Sequence, residues 1–251
     1  RSAKQILGDV KNVKVKEWTN DDKGIKLLQD TMGKDKVGTP EYADALNKLQ
    51  NNKTFGLVFG KTILTQNKAG MDADLANGEL RAGTVILHEF THITDDARMK
   101  SPAAKAKYFN NLFKAASNST NKALKRIHNE VVKDLNGIYG ILNSGNRDIW
   151  EDEYSNYLQE RLYAYEDEVQ IEKDDSVLTR VFNASDPSNL NTPEKALNYL
   201  AANNAAFRSG KLSKESIKAI DEYKGKDLKK SDKNINELAI EYKTDPSAMS
   251  G

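Results

Sequence analysis

The chain has no cysteine among its 251 residues, and it has no long apolar segment. The absence of cysteine excludes a disulfide scaffold, a cysteine-ligated zinc site and a thiol nucleophile. No apolar run approaches the roughly 20 residues that a membrane-spanning helix needs, and no charged-then-apolar leader opens the sequence. Neither sign of charge dominates, since 38 Lys and Arg balance 37 Asp and Glu. The composition therefore predicts a soluble protein and gives no reason to expect nucleic acid or an anionic membrane as a partner.

Short apolar segments in the first third of the chain predict a small β-sheet. Residues 54–59 (TFGLVF) and 62–65 (TILT) are rich in β-branched and aromatic side chains, and Gly60 and Lys61 join them, which is typical of a hairpin. The lysine-interrupted segment from residue 10 to Trp18 predicts a further, half-exposed strand. We expect residues 62–65 to form an edge strand beside a functional cleft.

Helix signals dominate the rest of the sequence. Threonine or serine followed by proline, at residues 39–40, 101–102 and 192–193, places a capping hydroxyl before a proline in the first helical turn. Ser213 and Ser231 are further candidate caps. The predicted fold class is α+β and mostly helical, in one domain over residues 1–251, with a mixed part at 1–80 and a helical part at 81–251 that carries the functional site.

Two of the three histidines lie four residues apart, in the segment His88-Glu-Phe-Thr-His92. Residues four apart on an α-helix lie on one face, so both imidazoles can present a nitrogen to one metal ion. Glu89 can hydrogen-bond a coordinated water without binding the metal itself, which is the position that a general base needs. The pattern predicts a catalytic zinc site with His88 and His92 as ligands and Glu89 as the base.

The segment from His88 to Asp96 resembles the metal-binding helix of the zincin metallopeptidases, and more narrowly that of the anthrax lethal factor family of secreted bacterial protease toxins. The likeness covers about nine residues, with a His-Glu-Phe and His framework followed by two aspartates. The resemblance implies a zincin-like fold and a gluzincin-like, zinc-dependent endopeptidase that acts on a protein or peptide. The third histidine of the metzincin pattern is absent, because Arg98 stands six residues after His92.

A zinc hydrolase needs a third protein ligand, and a glutamate on a downstream helix is the natural candidate. This helix is predicted to start at Asp148, with Glu151 as its capping-box partner. Glu153 and Glu160, seven residues apart, lie near one border of its apolar stripe, and Glu166 lies near the other. We predict Glu153 as the third ligand, with Glu160 and then Glu166 as alternatives.

The choice of Glu153 follows the resemblance. The metal-binding glutamate of the lethal factor family occurs in a Glu-x-Glu-aromatic segment near a helix start, and residues 151–154 (EDEY) are similar to it. That family has alanine three residues further on, where this chain has Asn156. The separation from His92 to Glu153, 153 − 92 = 61 residues, is also longer than we expect.

Other polar residues near the motif are given other roles. Asp95 and Asp96 are too close along the same helix to reach the metal, but either can accept a hydrogen bond from a histidine Nδ1. His128, in a basic helical segment, is interpreted as a solvated residue rather than a ligand. A phenol could stabilise the oxyanion of a tetrahedral intermediate, but none of the tyrosines around the downstream helix is assigned that role. These are Tyr139, Tyr154, Tyr157, Tyr163 and Tyr165.

Other classes of function account for parts of the pattern. A non-catalytic helical interaction module could carry the same histidines on its surface. A di-iron helical bundle needs a second Glu-x-x-His, and Lys125 stands three residues before His128, the remaining histidine. No Gly-x-Ser-x-Gly nucleophile elbow is present. Together with the resemblance, the cysteine-free composition favours a secreted bacterial toxin or effector that is delivered into a target cell and cuts a protein of a host or competitor.

Overall fold

The computed structural model describes residues 7–8, 10–51, 54–66, 82–164 and 190–224. Eight α-helices and three β-strands form this part of the chain, which confirms the predicted α+β class with a small sheet and a mostly helical remainder. The strands are β1 (Lys14–Glu17), β2 (Gly56–Phe59) and β3 (Thr62–Thr65), and the helices are α1 (Asp22–Met32), α2 (Pro40–Gln50), α3 (Ala82–Arg98), α4 (Pro102–Ser117), α5 (Lys122–Tyr139), α6 (Arg147–Ala164), α7 (Pro193–Ser209) and α8 (Lys214–Glu222).

The predicted hairpin is confirmed, but the predicted edge strand is wrong. Strands β2 and β3 pair antiparallel, and the turn begins at Gly60 with φ of +58°, the left-handed conformation that a tight two-residue hairpin requires and glycine supplies. Strand β1 pairs with the other side of β3, in parallel. The order is therefore β1-β3-β2, which makes β3 the central strand. The edges of this sheet are β1 and β2.

Helices cover both faces of the sheet. Neighbouring residues of a strand point to opposite faces. Ile63 of β3 accordingly packs with Leu87 and Phe90 of α3 on one face. Leu64, the next residue, packs with Leu28 of α1 on the other. The sheet therefore fixes the position of α3, the helix that carries the histidine pair.

Helices α4, α5, α6 and α7 form a bundle with a core of its own. Large side chains from α4, α5, α6 and α7 meet there and exclude water: Tyr108, Leu112, Ile127, Trp150, Tyr154 and Tyr199. Helix α6 begins at Arg147, one residue before the predicted start, and Glu151 pairs with the Arg147 guanidinium one turn earlier. Helix α6 also packs against α3, so this helix of the bundle is the one that contacts the histidine helix most extensively.

The local helix signals in the described ranges are confirmed. Thr39, Ser101, Thr192 and Ser213 each accept a hydrogen bond from a backbone N–H in the first turn of the helix that follows. Ser231 lies outside the described residues. Across the parts of the chain that the structure describes, no helix combines the length and the apolar character needed to cross a bilayer.

Candidate metal centre

Helix α3 presents His88 and His92 to helix α6. The two imidazoles lie one turn apart on the same face, with ring centroids 5.2 Å apart. Leu87 and Phe90, on another face of α3, are fully buried in the core against the sheet. Because packing on that side fixes the rotation of α3, the histidine face is held toward α6.

Glu153 of α6 lies between the two histidines. Its Oε2 is 3.3 Å from Nε2 of His88 and 3.6 Å from Nε2 of His92. Within the described residues, these three side chains are the single group of His, Asp and Glu whose ligand atoms all lie within 4.8 Å of one another. The arrangement brings together both predicted histidines and the predicted glutamate, in a group that is close enough to bind one metal ion.

Glu160, the alternative third ligand, contacts the other nitrogen of His88. Its Oε2 lies 3.1 Å from His88 Nδ1, and its side chain is 8% exposed. A carboxylate on Nδ1 orients an imidazole and leaves Nε2 available to a metal. Glu153 therefore lies at Nε2 of His88 and Glu160 at Nδ1. The position of Glu153 suits a metal ligand, and that of Glu160 suits a group that orients the ring.

Asn156 and Tyr157, both on α6, complete the surroundings of the histidines. The Asn156 amide nitrogen lies 2.6 Å from His92 Nδ1 and also donates to the carbonyl of Asp152. The Tyr157 ring packs edge-on against His88, with centroids 4.9 Å apart. Asn156 was noted in the sequence only as a departure from a family pattern, although its position three residues after Glu153 places it on the same face of the helix.

Acidic groups dominate the electrostatics of the centre. Burial alone would lower the pKa of His88, but hydrogen bonds to Glu153 and Glu160 outweigh it and hold that pKa well above its usual value. Burial would likewise raise the pKa of Glu153, but His92 and His88 outweigh it and lower that pKa. Both shifts reflect the negative field of the carboxylates, which attracts a cation, and a bound metal would displace the proton that this field holds on His88.

Glu89 is buried beside this cluster without being a member of it. Its exposed fraction is 8%. Burial, opposed by His88 and assisted by the negative charges of Glu153 and Glu160, raises the pKa of Glu89 to about 7. A carboxyl group with a pKa near neutrality can both accept and return a proton, as general acid–base chemistry requires.

The carboxylate at His88 Nδ1 belongs to Glu160, and not to Asp95 or Asp96, which we expected could accept a hydrogen bond from a histidine Nδ1. Asp95 instead accepts a hydrogen bond of 2.8 Å from Ser155 of α6. Asp96 pairs with Lys105, and Lys105 also pairs with Asp152 of α6. The two aspartates connect α3 to its neighbours rather than orient a ligand, a role that sequence spacing along one helix did not reveal.

The interpretation of His128 as a solvated residue is also wrong. His128 is 6% exposed, and its Nδ1 lies 2.7 Å from the Tyr154 hydroxyl inside the bundle. It is buried because it falls on the apolar face of α5, next to Ile127 and Val131. Glu166 lies outside the described residues.

Comparisons with protein-family models, with curated proteins and with solved structures found no match to this chain.

Proposed function

We propose that this protein is a zinc-dependent endopeptidase with Glu89 as its general base. The observation that carries the proposal is the convergence of His88, His92 and Glu153 around one position, with the buried carboxyl group of Glu89 beside them. A surface module whose histidines only decorate a helix would not need two buried carboxylates and a half-buried one around the pair.

The donor set fits zinc. Two imidazole nitrogens and one carboxylate oxygen are ligands that Zn²⁺ favours at catalytic sites, which keep a further position open for water or substrate. Glu153 Oε2 is shielded from solvent and faces Nε2 of His88 and Nε2 of His92, at 3.3 and 3.6 Å. A cation bound among these three atoms would neutralise the shielded carboxylate charge.

The position of each side chain indicates its role in the proposed hydrolysis. Zinc, when bound, supplies Lewis acidity that polarises a carbonyl and lowers the pKa of water from 15.7 toward about 7. Glu89 accepts the proton of the attacking water and then delivers it to the leaving amine. Glu160 holds His88 by its Nδ1 throughout, so the ring keeps one orientation.

The proposed substrate is a protein or peptide, because the resemblance of residues 88–96 is to peptidases. The same resemblance, with the cysteine-free composition, supports a secreted bacterial toxin or effector that acts on a protein of a host or competitor cell.

The Glu89→Gln variant tests the proposal directly. Glutamine has the same shape and cannot accept the proton, so we expect the variant to bind one zinc per chain and to lose roughly 10²–10⁴-fold or more in turnover. Zinc is measured after dialysis against chelator and reconstitution, and cleavage is measured with a pool of internally quenched fluorescent peptides.

The matched control is Glu222→Gln, an exposed glutamate on α8 that should change neither zinc content nor cleavage. Full activity of Glu89→Gln would refute the role of Glu89. A wild-type protein that binds no zinc would refute the whole proposal and favour the interaction module.

A further inference from the structure

Glu89 packs against the backbone of strand β2 at Gly56. Gly56 is buried at the start of this edge strand and pairs with Thr65 of β3. Val58, which lies on the same side of the strand as Gly56, packs in the core that contains α3. Val85 and Glu89, four residues apart on α3, face Gly56.

There is no room for a side chain at Gly56. A Cβ built there would lie 2.9 Å from both Cγ and Oε1 of Glu89 and 3.0 Å from Cγ1 of Val85. Carbon atoms at such separations repel strongly, since their optimal separation is about 3.5–4.0 Å. The Glu89 side chain therefore occupies the volume that any other residue at position 56 would need.

The backbone does not require glycine at this position. Gly56 is absent from the residues with positive φ in the described part of the chain, so its conformation is one that alanine can adopt. The reason for glycine here is therefore the contact with Glu89 and Val85, not the path of the strand.

We propose that Gly56 is a positioning residue for Glu89: the missing side chain lets the carboxyl group lie against β2, beside the metal ligands. This inference rests on the proposed function of Glu89. Of the groups that meet at Gly56, the end of the Glu89 side chain moves most easily, because Val85 is short and branched and β2 is held by its pairing with β3. A methyl group at position 56 would therefore displace Glu89 first.

The Gly56→Ala substitution should leave the positions of the metal ligands unchanged. His88 and His92 face α6, and Glu153 belongs to α6, whereas Gly56 contacts a different face of α3. Gly56→Ala should consequently keep the zinc affinity and KM within about threefold of wild type, while kcat falls by roughly 10- to 100-fold, since a shift of 1 Å in a catalytic group can cost about 10²-fold.

The experiment compares Gly56→Ala with Gly137→Ala, a glycine on α5 where a Cβ would meet nothing within 4 Å. Zinc affinity is measured by competition with a chromophoric chelator, and kcat and KM are measured with one quenched peptide that the wild type cleaves. Gly137→Ala should match the wild type in zinc affinity, kcat and KM.

A second readout, independent of activity, is the midpoint of thermal unfolding of the metal-free protein in a double-mutant cycle. Gly56→Ala should lower this midpoint by more in the wild-type background than in the Glu89→Ala background, where only the contact with Val85 remains.

Any of the following results would overturn the proposal. An unchanged kcat in Gly56→Ala, with an inactive Glu89→Gln, refutes the role of Gly56 and leaves the proposed function intact. A raised KM with unchanged kcat means that Gly56 makes room for substrate instead. An equal loss of stability in both backgrounds shows that Val85 and not Glu89 is the obstruction, which refutes the role of Gly56 in placing Glu89. An active Glu89→Gln removes the proposed function and this inference with it. If Gly56→Ala does not fold, Gly56→Ala/Val85→Ala removes the second contact and takes its place in every arm.

Discussion

At the scale of single residues, the two nitrogens of His88 distinguish two glutamates that helix spacing alone does not separate. Oε2 of Glu153 lies 3.3 Å from Nε2, and Oε2 of Glu160 lies 3.1 Å from Nδ1. Glu153 alone is also near His92, at 3.6 Å from its Nε2. Glu153 is thus placed to share an ion with both histidines, while Glu160 is placed to orient one of them.

Replacing each glutamate by glutamine should therefore weaken metal binding to different degrees. We expect Glu160→Gln to lower zinc affinity by about 10- to 100-fold, the usual cost of losing a group that orients a ligand. Glu153→Gln removes an anionic ligand and should lower the affinity by considerably more. Competition with a chromophoric chelator at constant pH measures both.

Glu151 supplies a control, because it pairs with Arg147 of the same helix and is not one of the three side chains that are close enough to share an ion. Glu151→Gln should leave zinc affinity unchanged. If Glu160→Gln weakened binding more than Glu153→Gln did, the two assignments would have to be exchanged.

The sequence predicted that His88 and His92 lie together because spacing along one helix determines which residues share a face, and the role of Glu89 as a base stays a prediction from the same segment. Spacing alone did not separate Glu153 from Glu160, since these residues are seven apart and both lie on the border of one helix that faces α3, and the preference for Glu153 came from the resemblance. The rotation of α6 against α3 decides between them, and that rotation depends on the packing of Trp150 and Tyr154 in the bundle. The contact between Gly56 and Glu89 was not predicted either, because it joins residues that are far apart along the chain.

At the scale of elements, a lysine ties the histidine helix to the glutamate helix. Lys105 of α4 pairs with Asp96 of α3 and with Asp152 of α6. Burial opposes its charge, but Asp152 and Asp96 outweigh burial and hold the pKa of Lys105 well above its usual value. Asp96 lies one turn beyond His92, and Asp152 precedes Glu153, so this bridge fixes the distance between the ligand-bearing helices.

Lys105→Met should loosen that connection. The side chain of Lys105 is 18% exposed and that of Asp96 is 8% exposed, so removing the ammonium leaves a mostly buried carboxylate without its cation. We expect a loss of about 2 kcal/mol in the free energy of unfolding, below the value for a fully buried pair because solvent screens part of it. We also expect weaker zinc binding. Urea unfolding at neutral pH measures the stability.

Lys114→Met is the matched control, because Lys114 is an exposed residue of the same helix. Adding Asp152→Asn to Lys105→Met should recover part of the lost stability by removing one of the two carboxylate charges that Lys105 neutralised. No recovery, with equal losses from both lysine variants, would show that the bridge contributes nothing.

Elements that depend on local chemistry were predicted well, and those that depend on distant partners were not. The serine and threonine caps before proline work within one turn, so Thr39, Ser101 and Thr192 mark real helix starts. The hairpin needs only its own turn residues. The parallel pairing of β1 with β3 joins segments about 48 residues apart, as Lys14 and Thr62 illustrate, and nothing local indicates it.

At the scale of the molecule, the candidate centre lies where the sheet-packed helix α3 meets the bundle through α6. The bundle contains one buried histidine, His128, which packs against Phe113 and whose Nδ1 lies 2.7 Å from the hydroxyl of Tyr154. Burial, assisted by Lys125, lowers the pKa of His128 below its usual 6.5. The folded protein therefore holds this ring in its neutral form.

This neutral histidine should make the bundle less stable in mild acid. Below pH 6.5 the unfolded chain gains a proton at His128 that the folded chain does not, so stability falls as the pH decreases from 6.5 toward the lowered pKa. At pH 7.5 we expect His128→Gln to be less stable than wild type by about 1–3 kcal/mol, the cost of disturbing a buried hydrogen bond. The gap should narrow by pH 5.5. Urea unfolding of both metal-free proteins measures it, and a gap that stays constant or widens would contradict the assignment.

The most direct measurement of the whole proposal is a crystal structure of the zinc-reconstituted protein with diffraction data collected on both sides of the zinc absorption edge. We predict an anomalous peak bounded by His88, His92 and Glu153, and no peak there in His92→Ala. A structure without such a peak, or with the two imidazoles turned away from each other, would contradict the metal centre and the hydrolytic chemistry assigned to it.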